Sequence, residues 1–177
     1  MKLQRLALLA LLSLWLISTR SAQGAVPLPT GEPIAEVDFE RHVMGLLGRM
    51  GCNGGACHGS FQGKGGFRLT LFGYEPAKDY VAITRDNLGR GLSPGDPDSS
   101  LLLLKATGQV EHAGGMRFSK GSWQYQLIRE WLAQGAPWKP GSGTVQSISI
   151  HPPELAFTRS GESRQITIKA QFADYSV

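Results

Sequence analysis

Residues 51–60, GCNGGACHGS, place Cys52 and Cys57 with four residues between them and His58 directly after the second cysteine. Two thiols followed by a histidine suit covalent attachment of a c-type haem, in which the thiols form thioethers with the vinyl groups and the imidazole reaches the iron. The usual arrangement is C-x-x-C-H, and the insert Asn53-Gly54-Gly55-Ala56 is two residues longer. Asn-Gly-Gly takes turn and left-handed conformations at little steric cost, so the extra residues can bulge while both sulfurs stay near a ring edge. The same residues also suit a Cys52–Cys57 disulfide in an oxidising compartment. A third use is a zinc knuckle drawing further ligands from His42, His112 and His151. The disulfide would close only a short loop and would leave His58 without a role.

The N-terminus bears on the compartment. MKLQRLALLALLSLWLISTRSAQG carries Lys2 and Arg5, then an apolar run over residues 6–17, then small residues ahead of Ala25. This is the pattern of a secretory signal peptide over residues 1–24, and its apolar run is shorter than the roughly 20 residues a spanning helix needs. Removing it takes away Lys2, Arg5 and Arg20 and no acid, so the formal charge of +4 falls to +1. A nearly neutral remainder offers no clustered basic face for nucleic acid and no membrane span. The expected location is outside the cytoplasm, in the periplasm or at the cell surface.

Along the remaining chain, residues 25–36 are rich in proline and glycine and read as an exposed lead-in. From Asp38, a plausible N-cap, Phe39, Val43, Leu46, Leu47 and Met50 recur at helical spacing, and the helix runs straight into the cysteine motif. In GFRLTLF, Phe67, Leu69 and Leu71 alternate with Arg68 and Thr70, predicting a short strand or extended segment. Asp96-Pro97 ahead of a leucine run predicts a second helix. A third starts from Ser122, carries Leu127, Ile128, Trp131 and Leu132 on one face, and stops at Gly135 before Pro137. Three helices joined by long, glycine-rich loops make a thin side-chain core, and a flat apolar macrocycle would supply the missing volume.

Composition changes again at residues 139–146, KPGSGTVQ, which read as a linker. Beyond it Ile148 and Ile150, then Ile166, Ile168, Ala170 and Phe172, alternate around a turn at Gly161, as β-strands do. Only 32 residues follow Val145, against about 100 for an immunoglobulin-like sandwich, so residues 147–177 are expected to be a partial domain of a longer protein. No Ser-His-Asp set, paired acids or phosphate-cradling loop is apparent, so the chain is not expected to be an enzyme.

Several separated motifs occur in an order that resembles the planctomycete-type cytochrome c domain: GCNGGACHGSFQGKGGFRLTLFGYEPAKDY, PGDPDSSLLLLKATG, EHAGGMRFSKGS and LIREWLAQGAPW. Residues 146–177 resemble in turn the bacterial immunoglobulin-like group 2 domain. The resemblance implies a mostly α, cytochrome c-like haem domain over residues 37–138, followed by a truncated all-β segment. It implies covalent haem c on Cys52 and Cys57, with His58 as the proximal iron ligand. The loop before the last helix offers His112 and Met116 as the sixth ligand, and H-x-G-G-x-R-F, residues 112–118, is the part matching the family pattern, which favours His112. Arg68 and Arg117 are candidates to neutralise the haem propionates. His42, on the side of its helix away from the apolar stripe, is expected at the surface, and His151 is expected to be structural or exposed. The function implied is single-electron transfer to an unidentified redox partner, with envelope or cell-surface partners meeting the β segment. The alternative is a haem-free adhesion or interaction protein in which a disulfide-stapled unit acts as a spacer.

Overall fold

The computed structural model describes residues 24–29, 31–174 and 176. Apart from Gly24, the expected signal peptide lies outside the described residues. A π-helical turn, Phe39–Val43, leads into α1, Met44–Arg49. Asp38 caps this start, its Oδ1 accepting from the Arg41 N–H at 2.9 Å. The apolar spacing read from the sequence is the buried face: Phe39 and Val43 are fully buried, and Leu46 and Leu47 nearly so.

Helix α2, Pro76–Thr84, was not among the three expected. Pro76 stands at its first turn, a helix-start signal the sequence offered. Its inward face, however, carries Asp79 together with Ala82 and Ile83, and a carboxylate on the buried side breaks the apolar rhythm. Asp79 accepts from Thr70 N at 2.5 Å and Thr70 Oγ1 at 2.7 Å, which ties the helix to the preceding segment. Burial raises the Asp79 pKa above the ordinary carboxylate value.

The segment expected as a strand is extended but joins no sheet. Lys64 and Phe67 form an isolated bridge, Leu69 is buried and Leu71 is half exposed. A 3-10 turn, Leu71–Gly73, closes the segment. Pro97 opens a 3-10 turn, Pro97–Ser99, and α3, Leu101–Ala106, starts only after it. Helix α4, Trp123–Ala133, begins as expected, with Ser122 Oγ accepting from Tyr125 N at 3.3 Å. It ends in a Schellman turn: Gly135, at φ 86°, donates to Leu132 O and Ala136 N donates to Trp131 O at 2.8 Å.

The core is densest where the start of the first helix meets α2 and α4. Phe39 stacks on Trp131 with centroids 5.5 Å apart, Tyr80 meets Phe39 edge-on at 5.2 Å, and Trp138 lies 4.9 Å from Tyr80. Each such pair contributes about 0.5–1.5 kcal/mol beyond area burial. Their polar atoms are satisfied: Trp131 Nε1 donates to Pro137 O, Tyr80 Oη to Ala136 O and Trp138 Nε1 to Glu40 Oε1.

Two segments expected to be loose are held. In the lead-in, Val26 bridges Ile34 and is 2% exposed, while Gln134 on the last turn of the helical unit bonds Val37 N and Ala35 O. The segment expected as a linker is a strap over the start of the first helix. Gly141 N and Gly143 N donate to the Glu40 carboxylate, each at 2.9 Å, Ser142 Oγ donates to Asp38, and Arg41 Nε donates to Ser142 O. Three charged side chains within one turn of helix thus meet the N–H and C=O groups that a free linker would leave to water. Beyond the strap, β1, Val145–His151, pairs antiparallel with β2, Thr167–Phe172, in the register Ile148–Ala170 and Ile150–Ile168. Ile148, Ile150 and Ile168 on this two-stranded ribbon are exposed. Arg41 reaches the ribbon's end, pairing with Asp174 at 2.7 Å and lying 4.2 Å over the Phe172 ring. No helix among the described residues is long and apolar enough to cross a membrane.

Candidate functional site

The end of α1 sets the cysteine loop. Cys52 N donates to Leu47 O, Cys57 N to Gly54 O, His58 N to Cys52 O and Gly59 N to Gly54 O. The four-residue insert therefore folds back as stacked turns, and the first and last motif residues are brought together. Gly59 makes this possible, because a Cβ there would lie 2.0 Å from Asn53 O. Asn53 is buried to 1%, and neither atom of its side-chain amide has a protein partner; nothing in the structure explains this.

Cys52 and Cys57 are half-buried free thiols, and both line a cavity of about 950 Å³ together with His58 and His112. That volume is at the upper end of ordinary ligand sites, about 300–1,000 Å³. Its walls carry apolar side chains, among them Leu46, Leu47, Phe67, Leu69, Ile83 and Ile128, together with charged ones such as Lys64, Arg90 and Arg117. A second cavity, about 340 Å³ beside Tyr80 and Arg85, contains none of the motif residues.

The two histidines are prepared alike. His58 Nδ1 lies 3.0 Å from Phe67 O and His112 Nδ1 lies 2.9 Å from Gly115 O. A carbonyl can only accept, so each Nδ1 carries the proton and each Nε2 keeps its lone pair, the tautomer that ligating histidines use. Burial holds the His58 imidazole below its ordinary value of 6.5, which favours the neutral form. The rings are 6.1 Å apart between centroids and within 9° of parallel. Two imidazoles bound to one metal on opposite sides, each by a bond of about 2.0–2.1 Å with the ring centre about 1.1 Å further back, would stand roughly 6 Å apart. A centroid spacing of this size leaves room for one metal between the rings where their Nε2 edges face each other, and the cavity beside the thiols has room for a tetrapyrrole.

Met116 is 64% exposed and does not line the cavity. The candidate loop thus turns His112 inward and Met116 outward. Arg117 reaches inward too, its Nη2 3.7 Å from Cys57 Sγ, at the thiol end of the cavity. Arg68 stacks over the exposed ring of Phe61 and is not part of the cavity wall. His42, expected at the surface, is half-buried and structural: its Nδ1 accepts from Asp38 N at 2.8 Å. His151 is exposed at the end of β1. Among the described residues no three His, Cys, Asp or Glu side chains gather as a protein-only metal site requires, so the zinc-knuckle alternative gains no ligand set. Burial raises the Cys52 thiol above its ordinary value, and the Arg117 charge opposes the rise. The wall residues on α2 and the loop after it escaped sequence reasoning because α2 itself did; Pro76 was the available signal.

No family model, curated protein or solved structure matches the chain.

Proposed function

We propose that this chain is an exported c-type cytochrome domain, periplasmic or at the cell surface, that binds haem covalently and transfers single electrons as part of a larger multidomain protein. The observation that carries the reading is one apolar cavity into which Cys52, Cys57, His58 and His112 all open. Cys52 and Cys57 would hold the group by thioethers, and His58 and His112 would bind its iron. Bound haem supplies a one-electron iron couple. The chain's own contribution is positional. The Phe67 and Gly115 carbonyls fix both imidazoles in the ligating tautomer, and the insert turns hold the thiols beside His58. Two histidine ligands favour a lower potential than a His/Met pair. The disulfide-stapled spacer is less well supported, because it gives the parallel histidines no use, and both cysteines are free thiols in the structure. The β ribbon, with Ile148, Ile150 and Ile168 exposed, would join an immunoglobulin-like module facing envelope partners.

Expression with a haem-maturation system tests this reading. The purified protein should carry a c-haem spectrum that survives acid-acetone extraction. His112→Ala should convert a six-coordinate spectrum to a five-coordinate one that takes up carbon monoxide, and Met116→Ala should leave it unchanged. Absence of haem from every preparation sinks the reading.

A further inference from the structure

Four cations line the large cavity: Lys64, Arg90, Lys105 and Arg117. Two of them are already engaged. Lys105 Nζ donates to Glu111 O at 2.7 Å, and Arg117 lies against Cys57 Sγ at 3.7 Å. A Cβ added at Gly114 would lie 3.1 Å from Arg117 Nη2 and 3.2 Å from His112 Nε2, so the guanidinium also sits close to the inner ring nitrogen. Lys64 and Arg90 are different: among the described residues neither side chain forms an ion pair or hydrogen bond. Both are exposed at the cavity edge. The segments that carry them touch, because Asn87 Nδ2 donates to Gly66 O at 3.3 Å, so the two free cations come from adjoining parts of the cavity lining. Asp86 and Glu111 line the same cavity, so four cations against two acids leave its lining with a formal balance of two positive charges, and Lys64 and Arg90 are the two cations without a partner.

A tetrapyrrole of the haem type has its two vinyl groups along one edge and its two propionates along the opposite one. Cys57 and Arg117 mark the vinyl end here, so Arg117 is placed to contact the thioether side and not the acids. We infer that Lys64 and Arg90 receive the two propionate carboxylates, and that this pair, rather than Arg68 or Arg117, sets which edge of the macrocycle faces solvent. The inference rests on the haem reading above and adds to it a carboxylate-recognising rim. An exposed ion pair gives at most about fivefold in affinity, so two pairs together can supply on the order of tenfold.

The test uses iron-free ligands and protein made without maturation factors, so it is independent of iron ligation and thioether formation. The chain is titrated with protoporphyrin IX and with its dimethyl ester, following porphyrin fluorescence. The expected result is that the dicarboxylate binds about tenfold more tightly than the ester, with the ratio shrinking as salt rises. Lys64→Gln/Arg90→Gln should bring the ratio to within about twofold, and Lys64→Arg/Arg90→Lys should restore it. Lys169→Gln, on the ribbon, should leave it alone. Thermal melts followed by circular dichroism check that the variants fold, and if the glutamine pair does not, each single change should give an intermediate ratio. Equal affinity for acid and ester in the wild-type chain, or an undiminished ratio in the glutamine variants, overturns the carboxylate rim and leaves the cavity reading standing. Binding of neither porphyrin overturns the cavity reading itself.

Discussion

The helical unit has two ends built in opposite ways. At one, Phe39, Tyr80, Trp131 and Trp138 fill the interior with their own rings, and every ring heteroatom has a partner. At the other, Leu46, Leu69, Ile83 and Ile128 surround about 950 Å³ of space rimmed by thiols, imidazoles and cations. The same helices serve both. Helix α2 presents Tyr80 to the filled end and Ile83 to the hollow one, and α4 presents Trp131 and Ile128 in the same way. Protein interiors pack near crystal density, so a void of this size makes the hollow end the less fully packed of the two. The filled end supplies the stability that lets the hollow end stay hollow.

Truncation at the filled end should have the largest effect. Trp131→Ala removes the ring on which Phe39 stacks and should cost about 3–5 kcal/mol in urea unfolding, whether or not the protein carries haem. Ile83→Ala at the hollow end should cost clearly less in haem-free protein, where that side chain already faces space, and more once haem is attached. Equal costs in the haem-free chain would break the comparison, since the cavity would then be as well packed as the aromatic end.

The strap tests how far the filled end extends. Glu40 accepts from Trp138 Nε1, Gly141 N and Gly143 N, so Glu40→Ala strands three donors. The expected cost is about 1–3 kcal/mol, with proteinase K cutting within residues 139–146 several times faster in the variant. Fast cutting by proteinase K within residues 139–146 of the wild-type chain would return them to the status of a free linker.

A pH effect should separate the ends more gently. His42 accepts from Asp38 N through Nδ1, and burial holds its pKa below 6.5 despite the opposing pull of Asp38. The unfolded chain therefore takes up a proton at His42 before the folded one does. The stabilising contribution is whole above pH 6.5 and declines as the pH falls from there toward the lowered folded value. His58, lowered for the same reason, acts in the same direction in haem-free protein. Melting temperatures between about pH 8 and about pH 5 should fall in the wild-type chain and fall less in His42→Gln. Haem attachment should remove the His58 share and leave that of His42, and a wild-type chain whose melting point rises on acidification would contradict both assignments.

What could be read from the sequence divides along similar lines. Caps and stops are local, so Asp38, Ser122 and Gly135 were legible, as was the apolar face from Phe39 to Leu47. The alternating strands were legible for the same reason. Helix α2 was hidden by the inward Asp79, whose partner Thr70 lies nine positions earlier. The strap was hidden because glycine-rich composition reports backbone freedom and says nothing of a carboxylate waiting 101 residues away. In the site, Cys52, Cys57 and His58 are neighbours in sequence and announced themselves. The inward turn of His112 and the outward turn of Met116 are tertiary facts four positions apart, and only the fold separates them.

Backbone strain offers the smallest effect, and the finest measure of the two ends. Phe72, Asn87 and Leu88 have positive φ on segments at the hollow end, against Ala136 alone at the filled end among the described non-glycine residues. Phe72, at φ 54° and ψ 19°, is the least expected of them, being bulky and 78% exposed. The left-handed region costs an L-residue about 1–2 kcal/mol, while glycine there costs about 0.5–1 kcal/mol through the freedom it gains in the unfolded chain. With little side-chain burial to lose, Phe72→Gly should stabilise the protein by up to about 1 kcal/mol, a rise of about 2–4 °C in melting temperature. Phe72 N donates to Asn53 O, so the strained residue braces the cysteine insert from behind, and the glycine chain should keep that bond. If Phe72→Gly instead lowers the melting point, the exposed ring is packed against something in solution, and the hollow end is held by more than its backbone.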